Sequence, residues 1–227
     1  MAGRIAYLGN IVTNGLVLDL DAGIKGSYPG SGTTWSDISN NGNNGTLTNG
    51  PTFTGSNYGA IVLDGVDDYV GTSNIPTTSN FSYDFTINTS NLTLSVNNLI
   101  KGTAAYGGQN IAFHNYYNAI LFCSTNSSYF VYFTGYNWFT DKGLHNYIIT
   151  TEYTSTTTFK LYVDGVLKDT RTEANYNNYL PSFNKISFAN GTTYPVYSFR
   201  LYNRTLTAAE VQQNFNAYRS RYGIWVH

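Results

Sequence analysis

Residues 157–170 read TTFKLYVDGVLKDT. Phe159, Leu161 and Val163 alternate with Lys160, Tyr162 and Asp164, a period of two that puts apolar side chains on one face of an extended chain. Asp164-Gly165 interrupts the run, and Val166-Leu167-Lys168 starts another. Asp and Gly tolerate the positive φ angles of a two-residue turn whose twist suits the strands it joins. The stretch predicts a β-hairpin with one face on a core.

The same grammar repeats along the chain. GLVLDLDAG (15–23) sets Leu16, Leu18 and Leu20 against Val17, Asp19 and Asp21, so both aspartates are expected to meet solvent or a loop. FTIN, LTLSV, NIAFH, AILFCS, YFVYFTG, NYIITTEY, KISFAN and VYSFRLYN are further short runs, divided by turn residues at intervals of about 8–12 residues, as in a sandwich or barrel. Residues 25–53 are dense in Gly, Asn and Ser and predict a loop with a short pairing around Thr46 to Thr48. One stretch breaks the pattern. In LTAAEVQQNFNAYRSRYG (206–223), Thr207 and Glu210 form a capping box, and Leu206 and Val211 form a hydrophobic staple. Val211, Phe215 and Tyr218 share one helical face, and Gly223 suits the stop. A helix over about 207–218 follows, its cap worth about 1 kcal/mol. The expected organisation is an N-terminal arm (1–14), loosely held, one domain over 15–224, and a tail at 225–227.

Composition narrows the function. Charged residues make up 11% of the 227-residue chain, against roughly 25% in an average domain. Polarity comes from 28 Asn, 29 Thr and 21 Tyr. A net charge of −1 without a basic cluster argues against nucleic-acid binding through phosphate neutralisation. No apolar run reaches the roughly 18–20 residues that span a bilayer, so no membrane insertion is expected. The N-terminal MAGRIAYLGNIVTNG lacks the apolar core of a signal peptide. The single cysteine, Cys123, allows neither an internal disulfide nor a cysteine zinc cluster.

IVLDGVDDYV (61–70) poses the chemical question, with Asp64, Asp67 and Asp68 in five residues. Their hard oxygens suit calcium, although the longer ladder of an EF-hand loop is missing. The preferred reading is a turn formed by Asp64 and Gly65 and capped by Asp67 and Asp68. A retaining glycosidase needs two carboxyl groups about 5 Å apart. The three glutamates, Glu152, Glu173 and Glu210, are scattered, so catalysis is not expected. Asp37 reads as a loop-holding acid and Trp35 as a loop anchor. His114 and His145 fall in strands without a recognisable nucleophile. The better binding candidates are aromatic. Tyr116, Tyr117, Tyr136 and Trp138 lie among Asn residues, and sugar faces pack on such rings. The same residues also suit a packed core or a protein contact.

Four blocks carry a resemblance: GLVLDLDAG…SYPGSGTTWSDISNNGNNGTLTNGPTF, IVLDGVDDYV, FKLYVDGVLKDT and FRLYNRTLTAAEVQQNFNAYRSRYGI. Together they resemble the laminin-G-like branch of the concanavalin A-like lectin/glucanase superfamily, as found in structural proteins of tailed bacteriophages. The resemblance implies a jelly-roll sandwich of two antiparallel sheets, with Tyr202 to Glu210 running from the last strand into a helix. It also implies a non-catalytic virion structural protein at the particle surface, as capsid decoration, head fibre or tail appendage. Expected partners are other virion proteins and further copies of the chain, a trimer being natural. The alternative is a carbohydrate-binding module for host surface glycans.

Overall fold

The computed structural model describes residues 10–76, 78–92, 97–101, 110–114, 119–123, 130–174, 182–187 and 193–224. In chain order the strands are β1 (Leu16–Asp21), β2 (Thr34–Trp35), β3 (Gly45–Thr48), β4 (Thr52–Thr54), β5 (Ala60–Leu63), β6 (Tyr69–Pro76), β7 (Ser82–Asn88) and β8 (Asn97–Lys101). There follow β9 (Asn110–His114), β10 (Ala119–Cys123), β11 (Phe130–Phe133), β12 (Leu144–Tyr153), β13 (Thr157–Val163), β14 (Val166–Glu173), β15 (Ser182–Ser187) and β16 (Tyr194–Tyr202). Helix α1 (Ala208–Tyr222) ends the described chain.

The strands form two antiparallel sheets, as the resemblance implies. The first runs β14-β13-β12-β7-β16-β5-β4, with β1 also paired to β16. The second runs β11-β10-β9-β8-β15-β6-β3-β2. Leu18, Leu20, Phe85, Phe159, Leu161, Phe199 and Leu201 of the first sheet meet Val70, Phe113, Ile120, Phe122 and Phe133 of the second in one core. The hairpin at 157–170 has the expected two-residue turn. Asp164 and Gly165 take φ of 51° and 77°, and Val163 pairs with Val166.

Part of the outer face of the first sheet is also buried, because α1 lies across it. Its capping box forms as read and Gly223 stops it in the left-handed conformation as read, the helix reaching Tyr222, one turn beyond the expected 218. Val211 packs with Leu206, Ile148, Tyr162 and Tyr202, and Phe215 with Ala60, Tyr197 and Tyr218. Residues 10–14, expected to be loosely held, are tied down on this side. Val12 N–H donates to Asn214 Oδ1, Tyr202 Oη–H to the Val12 carbonyl, and Gln213 to the Asn10 carbonyl.

This cover corrects the expectation for Asp19 and Asp21, which are 3% and 0% exposed. Cross-strand register sets Asp19, Arg200 and Asp84 side by side on β1, β16 and β7. Arg200 Nε lies 2.9 Å from Asp19, Nη2 3.3 Å from Asp21 and Nη1 3.8 Å from Asp84. From α1, Arg221 grips both oxygens of Asp21 at 2.7 Å. Gly23 makes room for that grip, since a Cβ there would meet Arg221 Nη2 at 1.9 Å. Asn146 and Asn214 donate to Asp84 at 2.8 and 2.9 Å. The Tyr218 ring faces the Arg200 guanidinium at 4.0 Å.

The cluster holds three carboxylates and two guanidiniums, and the surplus shows in its titration. Burial pushes the Asp19 carboxyl up to about 6, against the pull of Arg200. A raised carboxyl binds a proton in the fold that it releases in the unfolded chain. Its contribution to stability is therefore full below about pH 4 and lost as pH rises through about 6. Urea unfolding should show stability falling across that window, and Asp19→Asn should flatten the slope. Arg200→Met, which strands buried carboxylates, should cost about 3–5 kcal/mol in the same measurement. Phe215→Ala, which opens a cavity under the helix, should cost a similar 3–5 kcal/mol.

Candidate functional site

Antiparallel pairing gathers the turns at one end of the sandwich. Leu63 pairs with Tyr194, Asn88 with Leu144, and Tyr147 with Val163, so β5, β7 and β13 finish where β16, β12 and β14 begin. Residues 64–68, 134–143 and 164–165 all connect strands at this turn end. The chain enters β1 at the opposite end, where Leu16 pairs with Tyr202.

At 64–68 the carboxylates first serve the backbone. Asp64 Oδ1 accepts the N–H groups of Val66, Asp67 and Asp68 at 2.8, 3.3 and 3.3 Å. Asp68 Oδ2 accepts the Asp64 N–H at 3.0 Å, and Gly65 supplies a φ of 76°. The Val66 N–H bond leads those that hold the Asp64 carboxyl below its ordinary value. One ligand oxygen from each of Asp64, Asp67 and Asp68 falls within 4.8 Å of the others. Calcium takes six to eight oxygens, so these three would need help from carbonyls and water. Val66 is 72% exposed at the tip.

The aromatic candidates divide. Tyr116 and Tyr117 lie outside the described residues. Tyr136 and Trp138 are 5% and 0% exposed, which corrects their reading as an open sugar platform. Segment 134–143 folds back over the core, where Trp138 packs edge-on against Phe113 at 5.5 Å. Trp35 is likewise buried in the core. Asp37 holds its loop as read, accepting from Asp19 N–H, Ser39 and Asn43.

Sequence reading missed the environment of His145. Its Nδ1 lies 2.6 Å from Asp164 Oδ2 and its Nε2 3.5 Å from Asp141 Oδ1. Asp164 is fixed by the Asn146 N–H, and Asp141 Oδ2 accepts from Tyr136 Oη at 3.1 Å. Burial lowers the imidazole pKa, but the Asp164 hydrogen bond and the two carboxylate charges outweigh it, so the net shift is upward. The only available signal was the position of Asp164, which the hairpin register sets beside the start of β12.

Among the described residues, no helix is long and apolar enough to cross a membrane. No family model and no curated protein matches the sequence. Solved structures do match. The binding domain of Paraclostridial Mosquitocidal Protein 1 is 18% identical, with a TM-score of 0.66 over 91% of this chain and 53% of that one. The binding domain of botulinum neurotoxin DC in complex with rat synaptotagmin II is 15% identical, with a TM-score of 0.70 over 91% and 52%. The botulinum neurotoxin serotype D ligand-binding domain in complex with N-acetylneuraminic acid is 14% identical, with a TM-score of 0.65 over 90% and 51%. The chain spans about half the length of each. At these identities the likeness shows the fold, an antiparallel β-sandwich.

Asp64→Ala should lower the melting temperature by a few degrees, because three N–H groups lose their acceptor. On the turn reading the drop is the same in calcium and in chelator. A drop confined to calcium buffer would assign the carboxylates to an ion.

Proposed function

We propose that this chain is a non-catalytic attachment domain at the surface of a bacteriophage particle, where it decorates the capsid or forms part of a head fibre or tail appendage. Fold likeness to toxin binding domains carries the attachment role. The four sequence blocks that resemble phage laminin-G-like domains support the virion location. Six of the thirteen acidic residues suit this reading, because they are committed to structure. Asp19, Asp21 and Asp84 neutralise buried arginines, Asp37 and Asp64 hold loops, and Glu210 caps the helix.

Topology suggests the orientation. Residues 10–14 run along α1 and into β1 at one end, which suits fixation to the particle, and the turn end then faces outward. Other virion proteins and further copies of the chain would be the partners on the particle, and weak contacts repeated on a lattice gain strength through avidity. A host glycan as the outward partner is a second reading, favoured by a similar sandwich solved with N-acetylneuraminic acid.

Two measurements test the proposal. Mass spectrometry of purified virions should recover the protein, and its absence there would reject the location. On the second reading a multivalent glycan array should give binding that is retained in chelator. An array without signal, beside a positive virion assay, would leave protein–protein attachment as the role.

A further inference from the structure

We propose that His145 is a pH-operated latch, closed in acid, that pins segment 134–143 to the turn between β13 and β14. The inference does not depend on what the turn end binds.

Proton count decides which contacts the ring can make. Both ring nitrogens of His145 face carboxylate oxygens, Asp164 Oδ2 at 2.6 Å and Asp141 Oδ1 at 3.5 Å. Imidazolium has two N–H groups, one hydrogen-bonded to Asp164 and the other in a longer ion-pair contact with Asp141. Neutral imidazole has one. The shorter contact keeps it, because Asp164 is itself held by the Asn146 N–H at 2.9 Å. Nε2 then turns a lone pair toward the Asp141 carboxylate, and an attraction becomes a repulsion.

The other groups around the ring do not rescue that contact. Lys142, next to Asp141, directs its ammonium to the Leu92 carbonyl and over the Phe139 ring at 4.5 Å. Tyr136 donates to the other oxygen of Asp141, and Tyr147 meets His145 through its ring edge at 6.0 Å. Asp169 and Arg171 of β14 pair with each other and, among the described residues, meet the segment at its start, Thr134 and Gly135. From α1, Gln212 and Phe215 approach the turn at Gly165, and neither is charged.

Asp141 is half exposed, with a side-chain accessibility of 54%, so it has room to swing away. Tyr136 and Trp138 stay anchored in the core, so the movement is confined to about residues 139–142. The outer rim of the turn end is therefore stiffer in acid than at neutral pH. The sign follows the upward shift of His145: the latch is fully closed below the ordinary histidine value of about 6.5 and opens as pH rises through the higher folded value.

Hydrogen exchange of the 139–142 amides, corrected for intrinsic rate, tests this alongside an NMR titration of the His145 ring. Protection should fall roughly two- to fivefold as the ring deprotonates, the worth of a partly exposed ion pair. His145→Gln and Asp141→Asn should each abolish the step. Asp141→Asn changes only a half-exposed side chain and keeps the test sound if the histidine variant folds poorly. Constant protection across the ring titration, or a step that survives in Asp141→Asn, would overturn the latch.

Discussion

Arg200 is the point on which the architecture turns. It is fully buried on β16, an interior strand of the first sheet, with aspartates on β1 and β7 to either side. A guanidinium stripped of water is costly unless its partners are close and themselves satisfied. The chain meets that demand from three directions. Register supplies Asp19 and Asp84, the end of β1 supplies Asp21, and α1 supplies Arg221, Asn214 and the Tyr218 ring. The helix therefore does more than cover apolar surface. It completes a polar cluster that the sheet alone cannot neutralise, and this fixes its position across the strands.

That position shapes what remains for function. With α1 and residues 10–14 packed over it, part of the outer face of the first sheet is closed to a partner, while the turn end stays open at Val66. The turn end is built from stiff parts. Asp64 ties its own hairpin, Asp164-Gly165 makes a two-residue turn, and segment 134–143 is anchored by Tyr136 and Trp138. Preorganised tips lose little freedom on meeting a partner.

Much of this was legible from residue order. Alternation of Phe159, Leu161 and Val163 with polar neighbours, the Asp-Gly turn and the Thr207–Glu210 box gave the sheets and the helix. What failed to read through was anything set by a second layer. Alternation says that Asp19 points away from Leu18, but not that a helix waits on that side. Asn214, Tyr218 and Arg221 do share one helical face, and Asp84 and Arg200 do sit within strongly apolar strands, so the signal existed as charge out of place. The aromatic segment failed for a related reason. Tyr and Trp serve equally as core and as platform, and only the fold-back of 134–143 decides between them.

Buried charge joins the helix to the sheet, with Asp21 and Arg221 as the direct link. A double-mutant cycle on Asp21→Asn and Arg221→Gln, read by urea unfolding, measures that link itself. The account predicts a coupling energy of about 1–3 kcal/mol between the two positions. Additivity within about 0.5 kcal/mol would mean that the helix is held by its apolar face alone and would contradict it.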